Sequence, residues 1–445
     1  MSLRFGTDGV RGDAGTDLTS HLVTALGRAA ARVLGNGGPF LVGRDTRESG
    51  PRIEADLAAG MRAEGTPVVG LGVLPTPAVA YLAGVDGAPA AMISASHNPW
   101  PDNGIKLLSA GGRKLDDGTE SEIESVLRAV LASDDPGLSA NEPPTARRNA
   151  LDTYVEHLAG VLEGRDLRNV SVVLDCGNGA ASEVAGRVVE RLGATAHVMN
   201  ARPDGRNINE GCGSNHPQAL QSAVVERGAE AGLAFDGDAD RVIAVDEHGE
   251  IVDGDQIMVM AALDLHARGH LRNNAIAVTV MSNLGLRRAL HDAGIAVVET
   301  PVGDRNVVVA LEERDLVLGG EQSGHIVFRE HATTGDGLLT GLVLLDLVRR
   351  TGRPLSELAA AMTRFPQVLT NVRVGRRPDL EHAPAQLTAE VRGAEQRLGE
   401  QGRVLVRASG TEPLVRVMVE AATHELAARE AQRLVAAVEA AFSGS

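Results

Sequence analysis

The sequence predicts an α/β protein of three similar α/β units closed by a smaller C-terminal α+β domain, and three observations predict it. Three apolar runs rich in Val and Ile, "FLVGRDTR", "VSVVLDCGNG" and "AIAVTVMSN", each end in a polar or Gly-rich turn followed by a helical pattern. Each is followed by a second short strand ("TPVVGLG", "TAHVMN", "AVVETPVGD"), then by a third ending in an unusual polar loop: "SASHNP", "FDGDADR" and "GGEQSGH". Past "TRFPQV" the pattern changes. There "NVRVG", "RVLVRAS" and "LVRVMVEA" alternate with period two, and "HELAAREAQRLVAAVEAAF" carries Leu, Val and Ala at helical spacing with charges opposite.

A chain of 445 residues exceeds what one core usually serves. The boundaries expected are 1–146 with the "SASHNP" loop, 147–250 with the "FDGDADR" loop, 251–366 with the "GGEQSGH" loop, and 367–445 with a loop at "RASGTEP". The acidic, Pro-containing "ASDDPGLSANEPPTARR" reads as the first linker. Ligands of α/β sheets sit beyond the carboxyl ends of strands, so the three polar loops are expected to face one cleft.

The net charge of -16 and 2% aromatic content exclude a nucleic-acid binder, which needs a basic face and stacking rings. An anionic substrate must then be caught by locally placed arginines. The longest uncharged run, Thr66 to Val85, is broken by Pro67, Gly70, Gly72, Pro75 and Pro77, so no membrane segment is expected. Two cysteines, Cys176 and Cys212, make no disulfide framework, and the start "MSLRFGTDGVRG" is unlike a signal peptide; a cytoplasmic protein is expected.

Four motifs carry chemistry. In "ISASHNPWPDNGIK" a strand ends in Ser, His and Asn-Pro, which is turn chemistry, and the glycines that a hydrolase elbow needs two residues before and after Ser96 are Ser94 and Asn98 here. Ser96 is therefore either a turn residue or a nucleophile of another kind. In "FDGDADR" the carboxylates Asp236, Asp238 and Asp240 alternate between two strands and can cage a hard divalent cation such as Mg²⁺. A solvated acidic turn is the alternative. An EF-hand is not, because Arg241 stands where its Gly is required and strands flank the loop. In "GGEQSGH", Glu321 and Ser323 can bond sugar hydroxyls, and His325 is titratable. In "VRASGTEPLVR", Ser409, Gly410 and Thr411 between Arg407 and Arg416 suit a phosphate cradle, although an ordinary hairpin turn has the same composition. No Walker loop or Gly-x-Gly-x-x-Gly is present.

Only two of the 43 basic residues are lysine, Lys106 and Lys114. Arginine cannot release its proton near neutral pH whereas lysine can be tuned to, so Lys106, ten residues past Ser96, points to proton transfer.

Together "FGTDGVRG", "ISASHNP", "DNGIK", "FDGDADR", "GGEQSGH" and "RASGTEPLVR", in that order along the whole chain, resemble the α-D-phosphohexomutase superfamily. Gln322 and "INEGCGS" resemble its glucosamine branch. The resemblance implies four domains, the last TATA-binding-protein-like, and an isomerase that interconverts glucosamine 6-phosphate and glucosamine 1-phosphate through a 1,6-bisphosphate, feeding UDP-N-acetylglucosamine synthesis. It implies a phosphoserine at Ser96 whose phosphate completes a magnesium site with Asp236, Asp238 and Asp240. It gives Lys106, His97, His325 and Arg11 acid/base or phosphate roles, and Gly303, Asp304, Glu321, Ser323, Arg407, Ser409, Gly410, Thr411 and Arg416 to substrate. A phosphosugar is the expected partner, with no nucleic acid or membrane; a homodimer is compatible. Asn306, Asn215 and Trp100-Pro101 depart from the usual pattern and bear on substrate fit. Phosphomannomutase/phosphoglucomutase activity and a noncatalytic phosphosugar- or cation-binding protein are the rival readings.

Overall fold

The computed structural model describes residues 9–133, 143–147, 149–375, 380, 383–408 and 413–442. Two compact units are present: residues up to Met281 together with Gly294–Ala361, and Ser282–Ala293 together with Met362 onward.

The first unit holds three sheets. The first contains β1 (Val10–Asp13), β2 (Phe40–Arg44), β3 (Val68–Val73), β4 (Ala90–Ile93), β5 (Asp102–Leu108) and β6 (Thr145–Ala146), in the order β1-β5-β4-β2-β3-β6. The second contains β7 (Ser171–Asp175), β8 (Thr195–Met199), β9 (Ala231–Phe235), β10 (Val242–Asp246) and β11 (Ile251–Val252), ordered β11-β10-β9-β7-β8. The third contains β12 (Ala275–Thr279), β13 (Ala296–Thr300), β14 (Leu318–Gly320) and β15 (Ile326–Phe328), ordered β13-β12-β14-β15.

One local plan repeats. The leading strand (β2, β7, β12) lies between two parallel neighbours, and the last of these (β4, β9, β14) turns back into an antiparallel partner (β5, β10, β15). Strands β4, β9 and β12 are buried throughout, as strands covered by helices on both faces must be. The three polar loops singled out in the sequence are the three hairpins at this repeated position. Thr145 and Ala146, inside the stretch that reads as a linker, instead add a parallel edge strand beside Val69 and Gly70. Both side chains are exposed, and a backbone ladder needs no apolar residues to announce it.

In the second unit β16 (Gln367–Arg373), β17 (Gly402–Ala408) and β18 (Leu414–Ala421) form an antiparallel sheet ordered β16-β18-β17. Helix His424–Phe442 buries Ala427, Ala431, Leu434 and Val438, one stripe at helical spacing, in the core with Val415, Val417 and Val419 of β18. Helix Ala385–Leu398, which the sequence reading did not separate, adds Leu387, Ala394 and Leu398 to that core. Segment Ser282–Ala293, inside the third repeat by sequence, groups with this unit. Asn283 caps helix Leu284–Asp292 through Gly285 N–H (3.0 Å), and its Nδ2 donates to the Phe365 carbonyl (3.0 Å). The buried Glu420 accepts from Leu284 N–H (2.9 Å) and Arg403 Nε (3.1 Å). No helix among the described residues is long and apolar enough to cross a membrane.

Helix Gly337–Thr351 of the first unit starts at Asp336, whose carboxylate accepts from Leu339 N–H (2.9 Å) and the Tyr154 hydroxyl (2.7 Å). Burial nevertheless lifts its carboxyl to about 6 from 3.8. The folded state thus favours the protonated form, a contribution fully present below the unfolded value and lost as pH rises through about 6. Asp336→Asn is expected to gain stability relative to the parent between pH 4 and 7.5, by at most about 3 kcal/mol at 1.36 kcal/mol per unit. Melting curves of the two proteins across that range check this; a constant Tm difference contradicts it.

Candidate active site

Ser96 sits in the β4–β5 hairpin with a left-handed backbone (φ 53°), a conformation that non-glycine residues keep only where their surroundings enforce it. The enforcement is a closed network. Ser96 N–H donates to Ser94 Oγ (2.9 Å), Ser94 Oγ–H to Asp45 (2.6 Å), and Arg47 Nε also to Asp45 (2.9 Å). The rest of the Arg47 guanidinium, fully buried, donates to the carbonyls of Ser96 (3.0 Å), Asn98 (2.8 Å), Pro99 (2.5 Å) and Asp102 (2.9 Å). Asn209, from the second repeat, adds bonds to the Ser96 and Asn98 carbonyls (2.9 and 3.2 Å).

The β9–β10 hairpin brings its carboxylates to the same place. Ser96 Oγ donates to Asp236 Oδ2 (2.6 Å). Gly237 lets the two loops approach this closely, since a Cβ there would lie 2.5 Å from the Ser96 carbonyl oxygen. Asp236, Asp238 and Asp240 are all buried, and one oxygen from each lies within 4.8 Å of the others. Burial first, then the charges of Asp240 and Asp238, push the Asp236 carboxyl well above its usual range. Burial would raise Asp240 as well, but Lys106 and then His325 hold it well below.

Cations surround the three acids. Lys106, on β5, donates to Asp238 (2.8 Å) and reaches Asp240 (3.4 Å); Thr76 Oγ1 donates to Asp238 (2.5 Å). Arg241 Nε lies 3.8 Å from Asp240, and His325 Nδ1 3.7 Å. After these contacts Oδ1 of Asp238 and of Asp240 are buried with no hydrogen-bond partner. An orphaned buried acceptor costs about 1–3 kcal/mol. Two such oxygens among three converging carboxylates fit an oxygen-seeking divalent cation.

The remaining predicted residues fall as follows. His97 Nδ1 is 3.3 Å from Ser96 Oγ; burial, and then the charges of Arg241 and Arg11, keep its imidazole below the ordinary value. Arg11, on β1, packs over Gly104 of β5. Glu321 accepts from Gly303 N–H (3.1 Å), with Ser323 Oγ at 3.5 Å. Gln322 Nε2 donates to Asp253 (3.3 Å), the N-cap of helix Gly254–Ala267. His325 accepts at Nε2 from Gly335 N–H (3.1 Å); burial lowers its pKa, but Asp240 and Asp304 outweigh burial and leave it raised. Asp304 pairs with Lys114. All of these lie in the first unit. In the second, Arg407 and Arg416 stand directly opposite each other on β17 and β18. Like charges so placed repel, and Arg416 Nε is buried without a partner, so the pair suits a bound anion. Burial, then Arg416, lowers the Arg407 pKa. Ser409, Gly410 and Thr411 lie outside the described residues.

Nothing in the sequence alone marks Asp45, Arg47, Ser94, Thr76 and Asn209 as parts of this site. The string "GRDTR" at the end of β2 stands out, but no spacing rule says that Arg47 reaches four carbonyls about fifty residues away.

The chain matches the phosphoglucomutase/phosphomannomutase α/β/α domain I over residues 2–132, domain II over 152–249, domain III over 253–365 and the C-terminal domain over 369–437. It therefore belongs to the phosphoglucomutase/phosphomannomutase family. Relatives along its whole length carry a narrower name. The phosphoglucosamine mutase of Frankia alni is 52% identical over 460 residues, covering 99% of either chain, and that of Moorella thermoacetica 51% identical over 453, covering 100% of both. The crystal structure of a phosphoglucomutase/phosphomannomutase family protein from Burkholderia thailandensis superposes with TM-score 0.82 at 26% identity, covering 100% of this chain and 98% of that one.

Removing the Arg47 guanidinium strands a buried carboxylate and four carbonyls. Arg47→Leu is expected to cost about 3–5 kcal/mol, the range for breaking a buried ion pair on one side. Arg47→Lys recovers only part, because one ammonium cannot span the same acceptors. Denaturation of the three proteins checks this; a leucine variant as stable as the parent contradicts it.

Proposed function

We propose that this protein interconverts glucosamine 6-phosphate and glucosamine 1-phosphate through a phosphoserine at Ser96 and a 1,6-bisphosphate. The observation that carries the reading is Ser96 Oγ at 2.6 Å from one of three converging buried carboxylates, the other two of which each keep an oxygen without a hydrogen bond. It is supported by full-length relatives named phosphoglucosamine mutase. The domain boundaries proposed are 146/147, 250/251 and 366/367.

Transfer breaks the P–Oγ bond of Ser96 and forms a P–O bond to the free hydroxyl of the sugar monophosphate. That hydroxyl loses a proton and Ser96 Oγ gains one; the return step reverses both at the other end of the sugar. Neutral His97, 3.3 Å from Ser96 Oγ, is suited to hold the serine's proton. Lys106, tied to Asp238 and Asp240, presents an ammonium beside the reacting group, and Arg11 adds positive charge on the same side as His97. A divalent cation, here taken to be Mg²⁺, held by Asp236, Asp238 and Asp240 supplies Lewis-acid withdrawal of charge from the phosphoryl oxygens when bound. Glu321 and Ser323 are proposed to hold sugar hydroxyls, with His325 and the Gly303–Asp304 turn beside them. Arg407, Ser409, Gly410, Thr411 and Arg416 are proposed as a phosphate site. Two buried free thiols, Cys176 and Cys212, suit the cytoplasm, the compartment proposed.

Intact mass with peptide mapping is expected to find about 80 Da of added phosphate on Ser96 in part of the isolated protein. Dephosphorylated enzyme is expected to be nearly inert with either monophosphate and to be switched on by catalytic glucosamine 1,6-bisphosphate. Full activity of dephosphorylated enzyme or of Ser96→Ala refutes the phosphoserine route. Rates with glucosamine, glucose and mannose phosphates in parallel separate this reading from a phosphomannomutase or a binding protein.

Chelation is expected to abolish turnover and Mg²⁺ to restore it, while Ca²⁺, with looser coordination, restores little. Turnover unchanged in excess EDTA contradicts the metal assignment.

A further inference from the structure

Lys114 is the second of the two lysines, and the proposed chemistry does not use it. It lies in the first repeat, and its ammonium pairs with Asp304, the first residue of helix Asp304–Glu313 in the third. Both side chains are largely buried, at 17% and 15% exposure. The turn that Lys114 grips touches two residues of the recognition loop: Gly303 N–H donates to Glu321 (3.1 Å), and Asp304 lies 3.7 Å from His325 Nε2. Neighbouring ion pairs join the same two repeats. Arg305 reaches Asp117 (2.7 Å) and Glu120 (3.1 Å), and Arg113 pairs with Glu312, but these grip the helix and not the turn.

The local space says why this cation is lysine in a chain that otherwise uses arginine. Lys106, Lys114, Glu120, Arg305 and Thr334 are among the residues lining a small, partly open cavity of about 20 Å³. That is room for one water. A planar guanidinium is bulkier than an ammonium, so a space this small favours lysine.

We propose that Lys114 is a positioning residue for substrate recognition: it fixes the Gly303–Asp304 turn, and through it Glu321 and His325, before the phosphosugar arrives. This rests on the mutase reading above. Pre-orientation of groups that bind substrate and transition state alike acts on KM more than on kcat.

The test is steady-state kinetics on the full chain with Mg²⁺ and glucosamine 6-phosphate, comparing parent, Lys114→Ala, Lys114→Met and Arg305→Ala. Lys114→Met keeps the aliphatic stem and serves if the alanine variant does not fold. The lysine variants are expected to raise KM roughly tenfold, the equivalent of one lost charge-assisted contact, with kcat within about threefold. Propylammonium, the fragment removed in Lys114→Ala, is expected to bring KM back toward the parent value, while guanidinium at equal ionic strength does not. Arg305→Ala is expected to lower Tm with KM within about twofold. A parent without mutase activity sinks the underlying reading. An active parent whose lysine variants keep its KM, an equal KM rise in Arg305→Ala, or no selectivity for propylammonium overturns the role of Lys114.

Discussion

Three buried carboxylates with oxygens within 4.8 Å of one another are the constraint on which the first unit is built. Mutual repulsion and desolvation both oppose such a cluster, and the two act unequally on its members: Asp236 is driven toward its protonated form, while Asp240, next to Lys106 and His325, is held ionised. The neighbours make sense as partial compensation. Lys106 and Arg241 supply positive charge, His325 Nδ1 lies near Asp240, and Thr76 and Ser96 supply hydroxyl donors. The compensation stops short, leaving Oδ1 of Asp238 and of Asp240 without a hydrogen bond. Without a cation the loop carries an electrostatic load; with one, the same residues become a ligand set and its surrounding charges.

Holding that cluster requires rigid scaffolding, and the repeated topology provides it. The hairpins carrying Ser96, Asp236–Asp240 and Glu321–His325 occupy the same place in three sheets, each following the strand beside the leading one. Strands buried on both faces leave little freedom to shift, so the loop ends are fixed by packing alone. What packing leaves undetermined, the Arg47 network closes: one side chain binds the Ser96 loop at four carbonyls and so locks a backbone conformation that serine disfavours.

These layers differ in how far the sequence exposes them. The hairpin acids, Ser96 and the glutamate loop stand out because they break apolar strands with residues that strands avoid. The stripe Ala427, Ala431, Leu434 and Val438 is legible because a helix on a sheet must repeat near 3.6. Arg47, Asn209 and Thr76 are not legible, since their partners lie far along the chain and a buried arginine looks like any other beforehand. The short strand Thr145–Ala146 and the grouping of Ser282–Ala293 with the C-terminal unit rest on backbone pairing and on the Asn283–Glu420 contacts, neither of which follows from composition.

The chain also contains the complementary imbalance. Arg407 and Arg416 face each other across β17 and β18, where opposed like charges destabilise a sheet, and the surrounding strand leaves one guanidinium nitrogen buried without a partner. Each unit, taken by itself, thus keeps buried polar atoms that its own residues do not hydrogen-bond, carboxylate oxygens in the first and a guanidinium nitrogen in the second. Selection for stability alone would dilute both with neutral residues, as buried or opposed charges rarely add to folding free energy. Their presence together in a protein of net charge -16 suits the binding proposed above, of a divalent cation in one place and a phosphate in another. The overall charge repels an anionic ligand, so its capture has to be local, and the residues suited to that task are the ones that fold stability explains least.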